Sequence, residues 1–93
     1  MTVSTAQPDK EVLKSFRTLP GVGRVIALDL WNMGYRSLDD LKEEDPEKMY
    51  QHLEKLAGQH VDRCMLYVFR CVVYCVNNAE RAEHLEKWWN WKD

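Results

Sequence analysis

The chain has 93 residues, which suits one folded domain and leaves no room for a second. Apolar residues make up 45% of it and charged residues 30%, an ordinary globular composition that argues against an intrinsically disordered chain. The net charge of −2 excludes a protein that attracts nucleic acid through a large overall positive charge.

The sequence predicts neither an export signal nor a membrane span. Residues 1–7 have no basic stretch followed by an apolar one, so we expect a flexible start rather than a secretory leader. The longest apolar run, between Val61 and Val76, is interrupted by Arg63 and Arg70. It falls short of the roughly 20 residues that cross a bilayer, so we expect no membrane contact.

Three cysteines fall in one predicted helix, at Cys64, Cys71 and Cys75. The first two would lie about 10 Å apart along the helix axis, which is too far for a disulfide. An odd number of cysteines on one rigid element indicates reduced thiols and a cytoplasmic protein.

In chain order, the first two predicted helices flank a turn. The first has an apolar stripe formed by Val12, Leu13, Phe16 and Leu19. It cannot continue far past Thr18, because Pro20 disfavours the α conformation at the residue before it. The second is predicted to start near Gly23 or Arg24 and to end at Gly34. Its apolar residues are Val25, Ile26, Leu28, Leu30 and Trp31.

The remaining segments also predict helix. Ser37 is the predicted N-cap of a short helix. The next helix has its predicted cap, first position and terminator at Asp45, Pro46 and Gly58. Residues 61–76 are apolar on nearly all sides and predict a central helix, and an amphipathic helix is predicted from Asn78 onward. No β-alternation is present, so we predict one all-α domain of five or six helices.

The segment LPGVGR, residues 19–24, places two glycines between the first two helices. Glycine adopts positive φ without steric cost and lets another molecule approach the backbone closely. The N–H groups from Gly21 to Val25 would be unpaired at the start of the second helix, where they and the helix dipole form an anion site suited to phosphate. The predicted site comprises Pro20, Gly21, Val22, Gly23 and Arg24, with Lys14 and Arg17 beside it.

Charge is distributed unevenly along the chain. Residues 1–37 carry five basic and three acidic groups, whereas residues 38–61 carry three basic and seven acidic groups. The positive part therefore coincides with the glycine turn, and the acidic part predicts a solvated face.

The stretch FRTLPGVGRVIALDL resembles the helix-hairpin-helix motif. The matching positions are Phe16, Leu19, Gly21, Val22, Gly23, Ala27 and Leu30. The resemblance implies DNA binding without sequence preference, in which the amides of Gly21, Gly23 and Arg24 contact backbone phosphates. No hydrolase, P-loop or dinucleotide-binding motif is present, so we expect neither enzyme activity nor a cofactor.

Residues 10–93 as a whole resemble the small bacterial pathogenicity-locus family, some of whose members are named mitomycin-resistance proteins. The segments GQHVDRCMLYVFRCVVY and KWWNWKD carry this resemblance. It implies a SAM-domain-like or helix-hairpin-helix fold and a link to DNA repair or mitomycin resistance.

A weak internal repeat indicates a second hairpin. A shift of 37 residues lays Gly58 on Gly21, whereas His60 takes the place of Gly23. Two such turns would form a double helix-hairpin-helix arrangement with one well-formed and one degenerate member. The second site would comprise Gly58, Gln59, His60 and Arg63.

Polar residues of the apolar helix have structural and functional interpretations. Four potential metal ligands share one stripe: His60, Cys64, Cys71 and Cys75. Only neighbours four residues apart could share an ion, so packing is favoured over a metal site. Arg63 and Arg70 share a face, and pairing with acids such as Asp62 or Glu54 is favoured over contact with DNA.

Three tryptophans cluster near the end of the sequence, at Trp88, Trp89 and Trp91. We predict that they form a lid over the core, and an exposed member would be a contact for a protein partner or a homodimer. The alternative function is therefore a protein-interaction or structural module of the same fold that does not bind DNA.

Overall fold

A computed structural model describes residues 8–93, and every described element is helical, with no strand among them. The α-helices are α1 (Lys10–Phe16), α2 (Arg24–Asn32), α3 (Pro46–Ala57) and α4 (Cys64–Asn77). Three short 3-10 turns span Leu38–Leu41, Glu83–Glu86 and Trp88–Trp91. The expectations of a flexible start and of no secretory leader concern residues 1–7, which lie outside the described part.

Most helix boundaries lie where capping residues place them. Helix α2 starts at Arg24, and Gly34 follows its end with a φ of 105°. The Asp45 carboxylate accepts the N–H of Glu47 at the start of α3, and Gly58 ends that helix in the left-handed conformation, with a φ of 68°.

The C-terminal segment differs from the predicted amphipathic helix. The chain leaves the helical conformation at Asn78, and residues 83–91 form two separate 3-10 turns. The Asn78 side chain donates to the carbonyl of Tyr74 (2.8 Å), and the Arg81 guanidinium donates to the carbonyl of Asn78 (3.0 Å). These bonds compete with helix continuation, so the described residues form four α-helices rather than five or six.

Helix α4 is the centre of the core, as its apolar composition predicts. It packs against α3, the Leu38–Leu41 turn and both C-terminal turns, while α1 packs against α2. Its buried residues are Leu66, Val68, Phe69, Cys71, Val72 and Cys75. Within residues 8–93 we find no helix with the length and apolar character that a bilayer crossing requires.

The C-terminal segment is tied onto α4 by polar contacts. Asp93 pairs with Arg63 (2.6 Å) and with Arg70 (2.9 Å), and Arg70 also donates to the carbonyl of Trp91 (2.8 Å). The Trp91 indole donates to the carbonyl of Leu85 (2.9 Å). The two arginines therefore have structural partners.

Those partners are not the acids that sequence reasoning favoured. Arg63 and Arg70 meet at Asp93, and Arg70 also contacts Glu47 (3.3 Å), whereas the predicted partners were Asp62 and Glu54. The prediction missed Asp93 because this residue is remote in sequence, 30 residues after Arg63 and 23 residues after Arg70. It reaches α4 only because the C-terminal segment folds back onto that helix.

Acid is expected to loosen this attachment. Hydrogen bonds from Arg63 and then Arg70 lower the pKa of Asp93 to about 2, below its unfolded value of about 3.9. A carboxylate whose pKa falls on folding contributes stability that is full above the unfolded pKa and is lost as pH falls through the folded pKa. We therefore expect Asp93→Asn to be less stable than the wild type at pH 6, with a difference that shrinks below about pH 4 and is mostly gone near pH 2, in thermal melts across that range. A constant difference at all pH values would contradict this assignment.

Candidate nucleic-acid interface

The turn between α1 and α2 is held by two buried side chains. Leu19 is 4% exposed and Val22 is 6% exposed, and the Val22 N–H donates to the carbonyl of Leu19 (3.1 Å). Gly21 has a φ of 82°, which an L-residue rarely adopts. Of the predicted site residues, Val22 therefore anchors the turn and does not offer its amide outward, while Pro20 lies half-buried beside it.

The start of α2 has the open amides that the sequence predicted. Gly23 is its N-cap, in extended conformation and without a side chain to accept a hydrogen bond. The first N–H of α2 that bonds within residues 8–93 is that of Ala27, to the carbonyl of Gly23 (2.9 Å). The N–H groups of the three residues between them, Arg24, Val25 and Ile26, have no acceptor in the described part of the chain. A β-carbon on Gly23 would meet no atom within 4 Å, so the approach is unobstructed.

The two glycines have different roles. Gly21 is itself exposed, but the C-terminal segment lies against one side of it, because a β-carbon there would lie 3.2 Å from Cδ1 of Trp88. Its missing side chain admits a tryptophan of the same molecule, whereas Gly23 faces open space. The positive φ expected of the turn is found at Gly21 and not at Gly23, whose φ is −96°.

Three exposed cations lie on α1, in the turn and at the start of α2, and two of them, Arg17 and Arg24, line one groove with Val25. Lys14, Arg17 and Arg24 are exposed, and none forms an ion pair within residues 8–93. Arg36 is not available in the same way, because its guanidinium stacks over Trp31 at 3.6 Å and donates to the Trp31 carbonyl. The local positive field therefore comes from α1, the turn and the first residue of α2.

An apolar groove lies beside this turn, between α1 and α2. It encloses about 680 Å³ and has Leu13 and Ala27 among its apolar lining residues. Val25 and Leu28, three residues apart on α2, are 74% and 40% exposed. Sequence reasoning counted both among the apolar residues of α2 and missed the groove. Its basic members are Lys10, Arg17 and Arg24.

The turn between α3 and α4 resembles the first turn, but acids of the protein accept hydrogen bonds from two of its N–H groups. Gly58 lies 37 positions after Gly21 and shares its positive φ. The Asp62 carboxylate accepts the N–H of Cys64 (2.8 Å), and the Glu54 carboxylate accepts the N–H of Val61 (3.1 Å). Acids of the protein thus take the place that a phosphate would have at these two donors, and the hydrogen bond from Cys64 holds the pKa of Asp62 below its usual value.

The predicted residues of the second turn take other partners. His60 contacts Glu54 (2.9 Å), and Arg63 is engaged by Asp93. Gln59 is exposed in the loop. The structure therefore pairs both basic side chains of this turn with acids, unlike Arg24 in the first turn, which forms no ion pair within residues 8–93.

The cysteines pack against neighbours. All three thiols are free, and Cys71 donates to the carbonyl of Leu85 (3.4 Å). Burial raises the pKa of Cys71 to about 12, and the hydrogen bond with Asp62 raises that of Cys64, so both stay protonated at neutral pH. Across residues 8–93, no three side chains of the metal-ligating types lie close enough to share an ion.

The fold and the turn define a small all-helical protein with an open glycine turn at the start of one helix. The chain belongs to the pathogenicity locus family, Cdd1, whose model matches residues 9–93. It is 30% identical over 74 residues to the mitomycin resistance protein McrB of Streptomyces lavendulae, a match that covers 80% of this chain and 67% of that protein. No solved structure gives a significant match.

Proposed function

We propose that this protein binds the phosphate backbone of DNA without sequence preference and without catalysing a reaction. The contact is made by the amides of Arg24 and Val25 and by that of Gly23, which also has no acceptor in the described residues, with Lys14 and Arg17 as the nearby cations. The observation that carries the proposal is the row of N–H groups without an acceptor at the start of α2, beneath a glycine that leaves them accessible. A helix N-terminus of this kind favours an anion through both its free donors and its dipole.

The second turn supports the same chemistry. There the helix N-terminus is satisfied by the carboxylate of Asp62, an anion supplied by the protein itself. The first turn has no such acid, so the same donors are left for an external anion.

The charge count sets the strength and the specificity of the contact. Three cations would neutralise about three phosphates, which predicts a slope of roughly −2 to −3 in a plot of log K against log salt. Affinity from one such turn lies near 10⁻⁴ M, in the range of roughly 10⁻⁴ to 10⁻⁶ M typical of non-specific binding. Phosphate contacts carry no base information, so the proposed binding is independent of sequence.

The cellular setting is part of the same proposal. The relative's name states mitomycin resistance, and we extend that role to this chain as a hypothesis. The free and buried thiols support a reducing compartment such as the cytoplasm.

The sharpest test uses Gly23. Gly23→Asp would place a carboxylate over the amides, as Asp62 does in the second turn, and should fill the site from within. We expect it to weaken binding to a fluorescent duplex at least about tenfold. The aspartate carboxylate would take the amides from the phosphate and would repel it, since both groups are negatively charged. The measurement is fluorescence anisotropy across a salt series.

Gly23→Ala is the matched control, because its β-carbon meets nothing within 4 Å and adds no charge. It should bind within about twofold of the wild type, a difference of about 0.4 kcal/mol. Gly23→Asp should also be as stable as the wild type or slightly more stable. An aspartate N-cap stabilises a helix by roughly a few tenths of a kcal/mol relative to glycine. Unchanged binding by Gly23→Asp, or binding that does not respond to salt, would remove the proposal.

A protein-interaction role is the second candidate. It is supported by the exposed apolar residues Val25 and Leu28 in a groove rimmed by basic side chains, and by Trp89, which is 50% exposed. Trp88 and Trp91 are half-buried against the core, so Trp89 is the member of the predicted contact set that is free to meet a homodimer partner. Sedimentation equilibrium of the wild type and of Trp89→Ala tests this candidate. Only a dimer interface at Trp89 predicts that the variant has a lower apparent molecular mass than the wild type.

A further inference from the structure

The C-terminal tryptophan turn lies directly against the glycine turn. The contact joins Trp88 to Gly21, where a β-carbon would lie 3.2 Å from the indole Cδ1. This position brings residues 88–91 to the edge of the proposed phosphate site. The two segments are separated by more than 60 residues in the sequence, so only the fold reveals the juxtaposition.

Trp89 follows Trp88 directly, so it lies within one residue of the contact with Gly21. Its ring meets Trp88 edge to face, with centroids 5.8 Å apart and planes at 87°, and half of the residue remains exposed. The backbone that carries it is fixed, because the Asn90 side chain donates to the carbonyl of His84 (2.7 Å) and Trp91 is held by Leu85 (2.9 Å). An exposed indole on a fixed turn loses little conformational entropy when a flat ligand stacks on it.

Two further cations belong to the same segment of the chain, two positions before Trp89 and three positions after it. Lys87 and Lys92 are exposed and form no ion pair in the described part of the chain. A fixed aromatic ring with cations in the same segment, next to a phosphate site, is the combination that proteins use to hold single-stranded nucleic acid.

We propose that Trp89 stacks on an unpaired base, and that the preferred ligand is DNA in which a single strand adjoins a duplex. This inference rests on the proposed function, since the glycine turn must hold the neighbouring phosphates. A base within a duplex has both faces covered by its neighbours, so only an unpaired base offers a face to the indole. The glycine turn holds the backbone and Trp89 selects for the exposed base.

The test compares three labelled ligands by anisotropy: a blunt duplex, the same duplex with a single-stranded overhang, and that duplex with an abasic overhang. The abasic strand has the same phosphates without bases, so it separates stacking from charge. Stacking contributes about 1–3 kcal/mol per base, so we expect the normal overhang to bind about 5- to 100-fold more tightly than the abasic one. Both overhang polarities are measured.

Three variants assign the effect to the ring. Trp89→Ala should lose the preference for the normal overhang and bind all three ligands with similar affinity. Trp89→Phe should keep part of that preference, because its ring can still stack on a base. Leu56→Ala is the matched control, because Leu56 is equally exposed (52%) but lies on α3 away from the tryptophan turn. It should change none of the three affinities. Far-UV circular dichroism checks that each variant is folded.

The outcomes separate this inference from the proposed function. If the abasic overhang binds as tightly as the normal one, or if Trp89→Ala keeps the preference, stacking is overturned while phosphate binding stands. If the wild type binds no DNA, both are overturned. If Trp89→Ala instead lowers the sedimentation mass, the ring belongs to a contact between copies of the chain and the stacking role is overturned.

Discussion

Replacing Trp91 by alanine is expected to lower the free energy of unfolding by about 2–4 kcal/mol, the range for a large aromatic side chain that packs on a core and is only partly exposed. Trp91 packs against Tyr74 with ring centroids 5.4 Å apart, and its indole donates to the carbonyl of Leu85 (2.9 Å). Its loss removes both contacts and leaves the Leu85 carbonyl with one donor fewer. In a domain of this size the midpoint of thermal unfolding should fall by roughly 10–20 °C.

Trp89→Ala is the control for this prediction, because it removes the same side chain two positions away. Trp89 is half exposed and loses mainly its edge-to-face contact with Trp88, so its removal should lower the unfolding free energy by no more than about 1.5 kcal/mol. Equal melting temperatures for Trp91→Ala and Trp89→Ala would show that the tryptophan turn does not close the core. The pair therefore tests the predicted lid one residue at a time.

Gly21→Ala is expected to destabilise the protein by about 1–3 kcal/mol. The left-handed conformation costs a residue with a β-carbon about 1–2 kcal/mol, and the new methyl group would also press on Trp88 at 3.2 Å. Because Trp88 lies on the half-buried side of the tryptophan turn, the variant should also shift its fluorescence. Urea unfolding followed by tryptophan fluorescence measures both effects.

The neighbouring glycine supplies the comparison. Gly23→Ala makes the same chemical change two residues away, at negative φ and in open space, and should cost no more than about 1 kcal/mol, because alanine adds no strain there but is a poorer N-cap than glycine. A similar loss of stability in both variants would contradict the separate roles that the structure gives to the two glycines.

Local sequence determines most of the helical architecture. Asp45, Pro46 and Gly58 define α3 because caps and terminators act within a turn of the helix end. The C-terminal segment could not be predicted in the same way. Its residues favour a helix by composition, but its conformation is set by contacts of Trp91 and Asp93 with α4, which are remote in sequence.

The candidate site was predictable only in part, for the same reason. The open amides at Arg24 and Val25 follow from a helix that begins without a capping side chain, which the sequence shows. The close approach of Trp88 to Gly21 and the exposure of the Val25 side chain depend on how segments distant in sequence pack. Periodicity assigns an apolar residue to a helix face, but it does not reveal which faces the rest of the chain leaves uncovered.

The acids at the turn between α3 and α4 have a consequence for the geometry of the proposed complex with DNA. Because Asp62 and Glu54 accept hydrogen bonds from two of its N–H groups, the proposed DNA contact would have one point of attachment to a strand instead of two. A body fixed at a single point can pivot about it, so a duplex held only by the glycine turn would show a footprint of few base pairs and a broad range of tilt. Any narrowing of that range must come from a second anchor outside the turn.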